Sequence, residues 1–230
     1  MRFLRKHCPS WFPESLISPL VLLGIAAVLL AIPVVFDWPI KLALRRAMPW
    51  NLFLATLPLA VALVILALKP ERLRWKKILT LPLWLLWLFL FPNGPYMITD
   101  ILHVQYLGVQ FMESDPAVWF GVLHLCAGVV VGACFGLLSL LLLHRHVAQC
   151  YGKARGWVFA GLACLLGGVG IWIGRCMRFN SWDIWGNPFF LLRSVLAQLN
   201  AGTVLLCLLF AIMSMGAYLL LRAFLPEDTK

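Results

Sequence analysis

The sequence predicts an all-α fold, a single polytopic bundle of about six transmembrane helices. Three observations predict it. The 230 residues are 63% hydrophobic and only 12% charged, where a soluble domain holds roughly half apolar and about a quarter charged residues. Six stretches free of Asp, Glu, Lys and Arg reach the roughly 20 residues that a membrane helix requires, at 16–36, 47–68, 78–99, 116–143, 156–174 and 194–221. The 19 Lys and Arg residues sit in short clusters between these runs. That is the pattern of loops facing anionic lipid rather than of a nucleic-acid-binding face, so no nucleic-acid partner is expected.

The first run follows Arg2, Arg5 and Lys6 and lacks a small-x-small cleavage site, so it reads as an uncleaved first helix. With the N-terminus inside, 13 Lys and Arg fall on that side and 6 on the other. The positive-inside rule then places both termini in the cytoplasm. Trp11, Trp38, Trp50, Trp75, Trp119, Trp157, Trp182 and Trp185 stand near helix ends, as interfacial belt residues do. Trp84, Trp87 and Trp172 lie deeper and read as packing residues.

The third run is interrupted. Pro92 and Pro95 flank Asn93-Gly94, and proline removes a helix donor and clashes with the preceding turn. The helix is expected to stop near Pro92 and restart after Pro95. Tyr96, Asp100 and His103 then follow at i, i+4 and i+7, on one helical face. In the fourth run Gly128, Gly132 and Gly136 share a face, and in the fifth Gly170 and Gly174 repeat the spacing. Such small-xxx-small faces pack helices closely within a bundle, or between copies in a homo-oligomer or a larger membrane complex. The sixth run begins with a polar lead-in around Gln198 and Asn200.

Beyond the fifth run come Gly174-Arg175-Cys176-Met177-Arg178-Phe179-Asn180-Ser181-Trp182-Asp183, ending at Pro188. By the topology above, this segment and the Pro92–Pro95 segment both lie at the non-cytoplasmic face. Arginine is disfavoured there by the loop-charge bias, so Asp100 and Asp183 are the expected partners of Arg175 and Arg178.

The seven cysteines form no Cys-x-x-Cys pair, and four of them lie inside apolar runs, where cysteine acts as a small hydrophobe. A metal site built from Asp100, His103 and His124 lacks diagnostic spacing, and one deep histidine cannot supply two haem ligands. No cofactor is expected. His144 and His146 fall in the basic stretch after the fourth run and read as solvated. A Ser181–His103–Asp183 triad rests on geometry that sequence does not carry, so catalysis ranks behind binding.

The two motifs resemble those of a bacterial multi-spanning membrane-protein family, domain of unknown function (DUF) 1361. The likeness rests on Phe91-Pro92-Asn93-Gly94-Pro95-Tyr96, Thr99-Asp100 and His103, and on Gly174-Arg175, Arg178, Asn180-Ser181-Trp182-Asp183 and Pro188. The resemblance implies a multi-pass protein of the bacterial inner membrane and carries no reaction with it. The site residues expected are therefore Asn93, Tyr96, Thr99, Asp100, His103, Arg175, Arg178, Asn180, Ser181, Trp182 and Asp183. They form either a structural ion-pair clasp or a small-ligand site. The alternatives are a transporter or a membrane enzyme acting on a lipid-linked substrate at that site, and an accessory subunit of a larger complex.

Overall fold

The computed structural model describes residues 21–29, 31, 42–68, 74–109, 115–179 and 186–225. Residues 21–29, within the expected first span, are helical. Then come α1 (Leu42–Leu68), α2 (Arg74–Leu90), the short α3 (Asn93–Thr99), a 3-10 helix (Asp100–Leu107), α4 (Pro116–Tyr151), α5 (Lys153–Arg175), α6 (Pro188–Ala197) and α7 (Ala201–Phe224). The described residues contain no strand. Five segments are long and apolar enough to cross a membrane: Met48–Leu68, Thr80–Leu107, Pro116–Tyr151, Lys153–Arg175 and Ala201–Phe224. The chain is a membrane protein built as a helical bundle.

α4 is its axis. A helix apolar on all sides belongs in the interior, and from Leu137 to Leu143 every side chain of α4 is buried. The neighbours α1, α3, α5 and α7 wrap around it and leave their outer faces, such as Leu205, Leu209 and Ile212 of α7, to lipid. At 36 residues α4 spans about 54 Å at 1.5 Å per residue, well beyond a hydrocarbon core of about 30 Å.

That length corrects one expectation. His144 and His146 are not solvated but only 2% and 7% exposed, because α4 runs on to Tyr151. α5 follows after the single residue Gly152, whose φ of 99° and ψ of 153° only glycine adopts without strain.

The proline break is also narrower than expected. Only Phe91 and Pro92 leave the helix, and α3 restarts at Asn93, with Pro95 inside it. Proline is tolerated in a first helical turn, where its missing N–H has no intrahelical partner. The bonds from Gly94 N–H to Phe91 O (3.2 Å) and from Tyr96 N–H to Pro92 O (2.9 Å) bridge the break, which meets the rule that backbone at membrane depth be satisfied internally.

The glycine faces explain how this kinked segment fits. A Cβ on Gly94 would stand within 3 Å of Gly136, and one on Gly136 equally close to Gly94. Gly132 faces Met97, and Gly128 faces Met48. Opposite them, Gly167, Gly170 and Gly174 of α5 abut Phe91, Pro92 and Tyr96. The Gly128, Gly132 and Gly136 face is thus packed within the bundle, against Met48, Met97 and Gly94.

The sixth run also divides. Asn200 caps α7, its side chain accepting from Thr203 N–H while the Thr203 hydroxyl accepts from Asn200 N–H. This capping box separates α7 from α6 at the polar lead-in.

Candidate functional site

Three chain segments converge at the motif end of the bundle: α1 at Asn51, the junction of α3 with the 3-10 helix, and the last turn of α5. Asp100 is 1% exposed. Its Oδ1 accepts from Arg175 Nη2 and its Oδ2 from Asn51 Nδ2 at 2.7 Å. Arg175 also donates to Thr99 Oγ1 from Nε at 2.9 Å and from Nη2 at 2.6 Å. The Thr99 hydroxyl in turn donates to Tyr96 O at 2.6 Å. The guanidinium lies over the Tyr96 ring, 4.0 Å from its centroid, a cation–π contact worth about 0.5–2 kcal/mol. Both carboxylate oxygens are occupied, which is the condition under which a buried ion pair is tolerated.

His103 Nδ1 sits 2.9 Å from the Asp100 carbonyl oxygen and 3.6 Å from Asp100 Oδ1. A carbonyl only accepts, so Nδ1 carries the proton and Nε2 is left as an acceptor in the neutral ring. Asp100 is the first residue of the 3-10 helix. From there the chain winds three residues per turn, which brings His103 directly back over Asp100, where an α-helical reading of the spacing only places the two on a common face.

Arg178 is not part of the Asp100 pair. α5 ends at Arg175, and the chain turns through Arg178 at φ 59° so that Phe179 N–H reaches back to Ile173 O at 3.4 Å. The left-handed conformation is costly for a residue with a side chain. It points an exposed guanidinium into a polar cavity of about 530 Å³ lined by Tyr96, His103, Gln105, Tyr106, Arg175 and Arg178. A second, mostly apolar cavity of about 460 Å³ lies against the first and shares Tyr96 and Gly174 as lining residues. Asn93 lines it, and the Asn93 amide nitrogen is buried without a hydrogen-bond partner among the described residues.

Of the site residues expected from sequence, Asn93, Tyr96, Thr99, Asp100, His103, Arg175 and Arg178 gather around these two cavities. Asn180, Ser181, Trp182 and Asp183 lie outside the described residues. Asn51 was missed, although a lone asparagine within an apolar span is a signal in itself. His124 is buried along α4, and among the described residues no three His, Cys, Asp or Glu side chains gather as metal ligands.

The opposite end of the bundle holds a second polar seam. His144 Nδ1 is hydrogen-bonded to the hydroxyl of Tyr218, Arg222 lies 4.6 Å over the Trp157 ring, and Arg145 Nη2 donates to Leu225 O at 2.6 Å. These contacts tie α4, α5 and α7 together.

No curated protein and no solved structure matches the chain. A family described as a protein of unknown function, DUF1361, matches residues 50–216. That stretch runs from within α1 to within α7 and contains both motifs and Asn51, and the chain belongs to the DUF1361 family.

Proposed function

We propose that the protein is a ligand-binding membrane protein that holds a small oxyanion in the polar cavity at the non-cytoplasmic end of its bundle, with the Asp100–Arg175 clasp as the rigid wall of that site. The observation that carries this reading is a division of labour between the two arginines. Arg175 is spent on Asp100, Thr99 and Tyr96. Arg178 is held in a strained backbone conformation and lines the cavity with no ion-pair partner among the described residues. Strained backbone concentrates at ligand sites, where the surrounding packing holds it. Gln105 and Tyr106 add hydrogen-bond donors beside it, and a guanidinium with several donors suits phosphate or carboxylate.

The orientation, with both termini in the cytoplasm of a bacterial inner membrane, is proposed on the 13-to-6 distribution of Lys and Arg. The reading is tested by thermal unfolding of the purified full-length protein with and without inorganic phosphate. Phosphate at 100 times its dissociation constant stabilises the folded state by about 2.7 kcal/mol. Arg178→Gln should keep the unfolding temperature without phosphate and lose the phosphate-dependent rise. No phosphate-dependent rise in the wild type, or an undiminished one in Arg178→Gln, overturns the proposal.

A further inference from the structure

The polar cavity does not stand alone, and its neighbour defines the shape of what enters. We infer that the ligand is an anionic membrane lipid whose head group is a terminal phosphate monoester, its head in the polar cavity at Arg178 and one hydrocarbon chain in the adjoining apolar cavity. This rests on the oxyanion reading above and adds the chain.

Three features of the second cavity support it. It lies between α2 and α5, lined by Leu88, Phe89, Val169 and Ile173, on the level of the membrane-crossing helices. Leu85 and Leu166, 61% and 49% exposed, also line it, so its mouth opens toward the lipid-facing surface. The two cavities adjoin, with Tyr96 and Gly174, packed against each other, lining both. At about 460 and 530 Å³ each lies within the usual size of ligand pockets, about 300–1,000 Å³.

Asn93 also lines the apolar compartment. A soluble phosphate has no use for the apolar compartment, and an uncharged lipid none for Arg178. A lipid that ends in a phosphate monoester uses both.

The test uses full-length protein in phosphatidylcholine nanodiscs containing a trace of phosphatidic acid that carries a diazirine midway along one chain. A phosphatidylcholine with the same diazirine chain, in a parallel sample, is the reference. After illumination, the chain of phosphatidic acid should label the peptides containing Leu88–Phe89 and Val169–Ile173 at least five times more than the reference lipid does. Val169→Trp, which fills the apolar cavity, should abolish that labelling. Leu209→Trp on the exposed face of α7 should not. If Val169→Trp fails to fold, Leu88→Trp serves the same purpose from the facing wall.

Equal labelling by the two lipids, or labelling spread over the exposed faces of α7, overturns the inference. The phosphate experiment separates the two levels. A phosphate-dependent rise in unfolding temperature that needs Arg178, without chain labelling in the cavity, removes the lipid and keeps the oxyanion site. Loss of both removes the site itself.

Discussion

At the scale of single residues, the Asp100–Arg175 pair is asymmetric, and the asymmetry is testable. The Asp100 side chain is 2% exposed and that of Arg175 is 18% exposed. Removing the arginine by Arg175→Gln strands the more deeply buried charge, for which about 3–5 kcal/mol of destabilisation is expected. Asp100→Asn leaves a guanidinium that still holds Thr99 and Tyr96 and lies closer to water, so a smaller loss of about 1–3 kcal/mol is expected. The double substitution should be less destabilising than the sum of the two, since neither unpaired charge remains. Unfolding measurements on the three variants check this order, and additive losses would show that the pair does not act as a unit. Sequence reading found both members of this pair from charge arithmetic at one membrane boundary. It did not find Asn51, which occupies the second carboxylate oxygen. Only the packing of α1 against the kinked segment brings that asparagine 49 positions along the chain to Asp100.

At the scale of elements, the interrupted helix is held by the close approach of two backbones. Gly94 and Gly136 leave no room for a Cβ on either, and the obstructing atoms are main chain that cannot turn aside. Gly136→Ala is therefore expected to overpack the α3–α4 contact and to destabilise the protein by about 1–3 kcal/mol or more. Gly161 of α5 provides the contrast, because a Cβ there meets nothing within 4 Å. Gly161→Ala should stabilise by up to about 1 kcal/mol through helix propensity alone. The two unfolding temperatures should move in opposite directions, and a tolerated Gly136→Ala would show that the break is not clasped as described. The break itself was legible, because two prolines around Asn-Gly cannot continue a membrane helix. Its width was not, since Pro95 sits in the first turn of α3, where proline costs little. The turn after α4 escaped for a related reason. Basic residues at 145–155 look like a loop, yet Gly152 alone makes the reversal and the flanking residues stay helical. His144 and His146 are consequently drawn into the seam with Trp157, Tyr218 and Trp84.

At the scale of the whole molecule, apolar runs and their spacing were enough to give the bundle, because span length is set by bilayer thickness and needs no tertiary information. What runs alone did not give is the central position of α4, which depends on which faces meet. The alternation of helix directions does follow from the contacts, and it turns orientation into an experiment with two native cysteines. Cys150, at the end of α4, and Cys176, just after α5, are both exposed. They sit at opposite ends of these two spans, since Cys176 follows Arg175 at the motif end and Cys150 precedes the Gly152 reversal. With 13 of 19 basic residues on the Cys150 side, the positive-inside rule puts Cys150 in the cytoplasm and Cys176 outside. In a Cys8→Ser background, which removes the other cysteine expected on the Cys150 side, a membrane-impermeant maleimide applied to intact cells lacking an outer-membrane barrier should then label the protein with both Cys150 and Cys176 present. It should fail to label Cys176→Ser and should still label Cys150→Ser. Permeabilising the cells should restore labelling of Cys176→Ser through Cys150. The reverse pattern would place the motif end, and with it the Arg178 cavity, on the cytoplasmic side. An outside-facing ligand would then give way to one drawn from the inner leaflet, while the clasp and the paired cavities, which depend only on packing, would stand as they are.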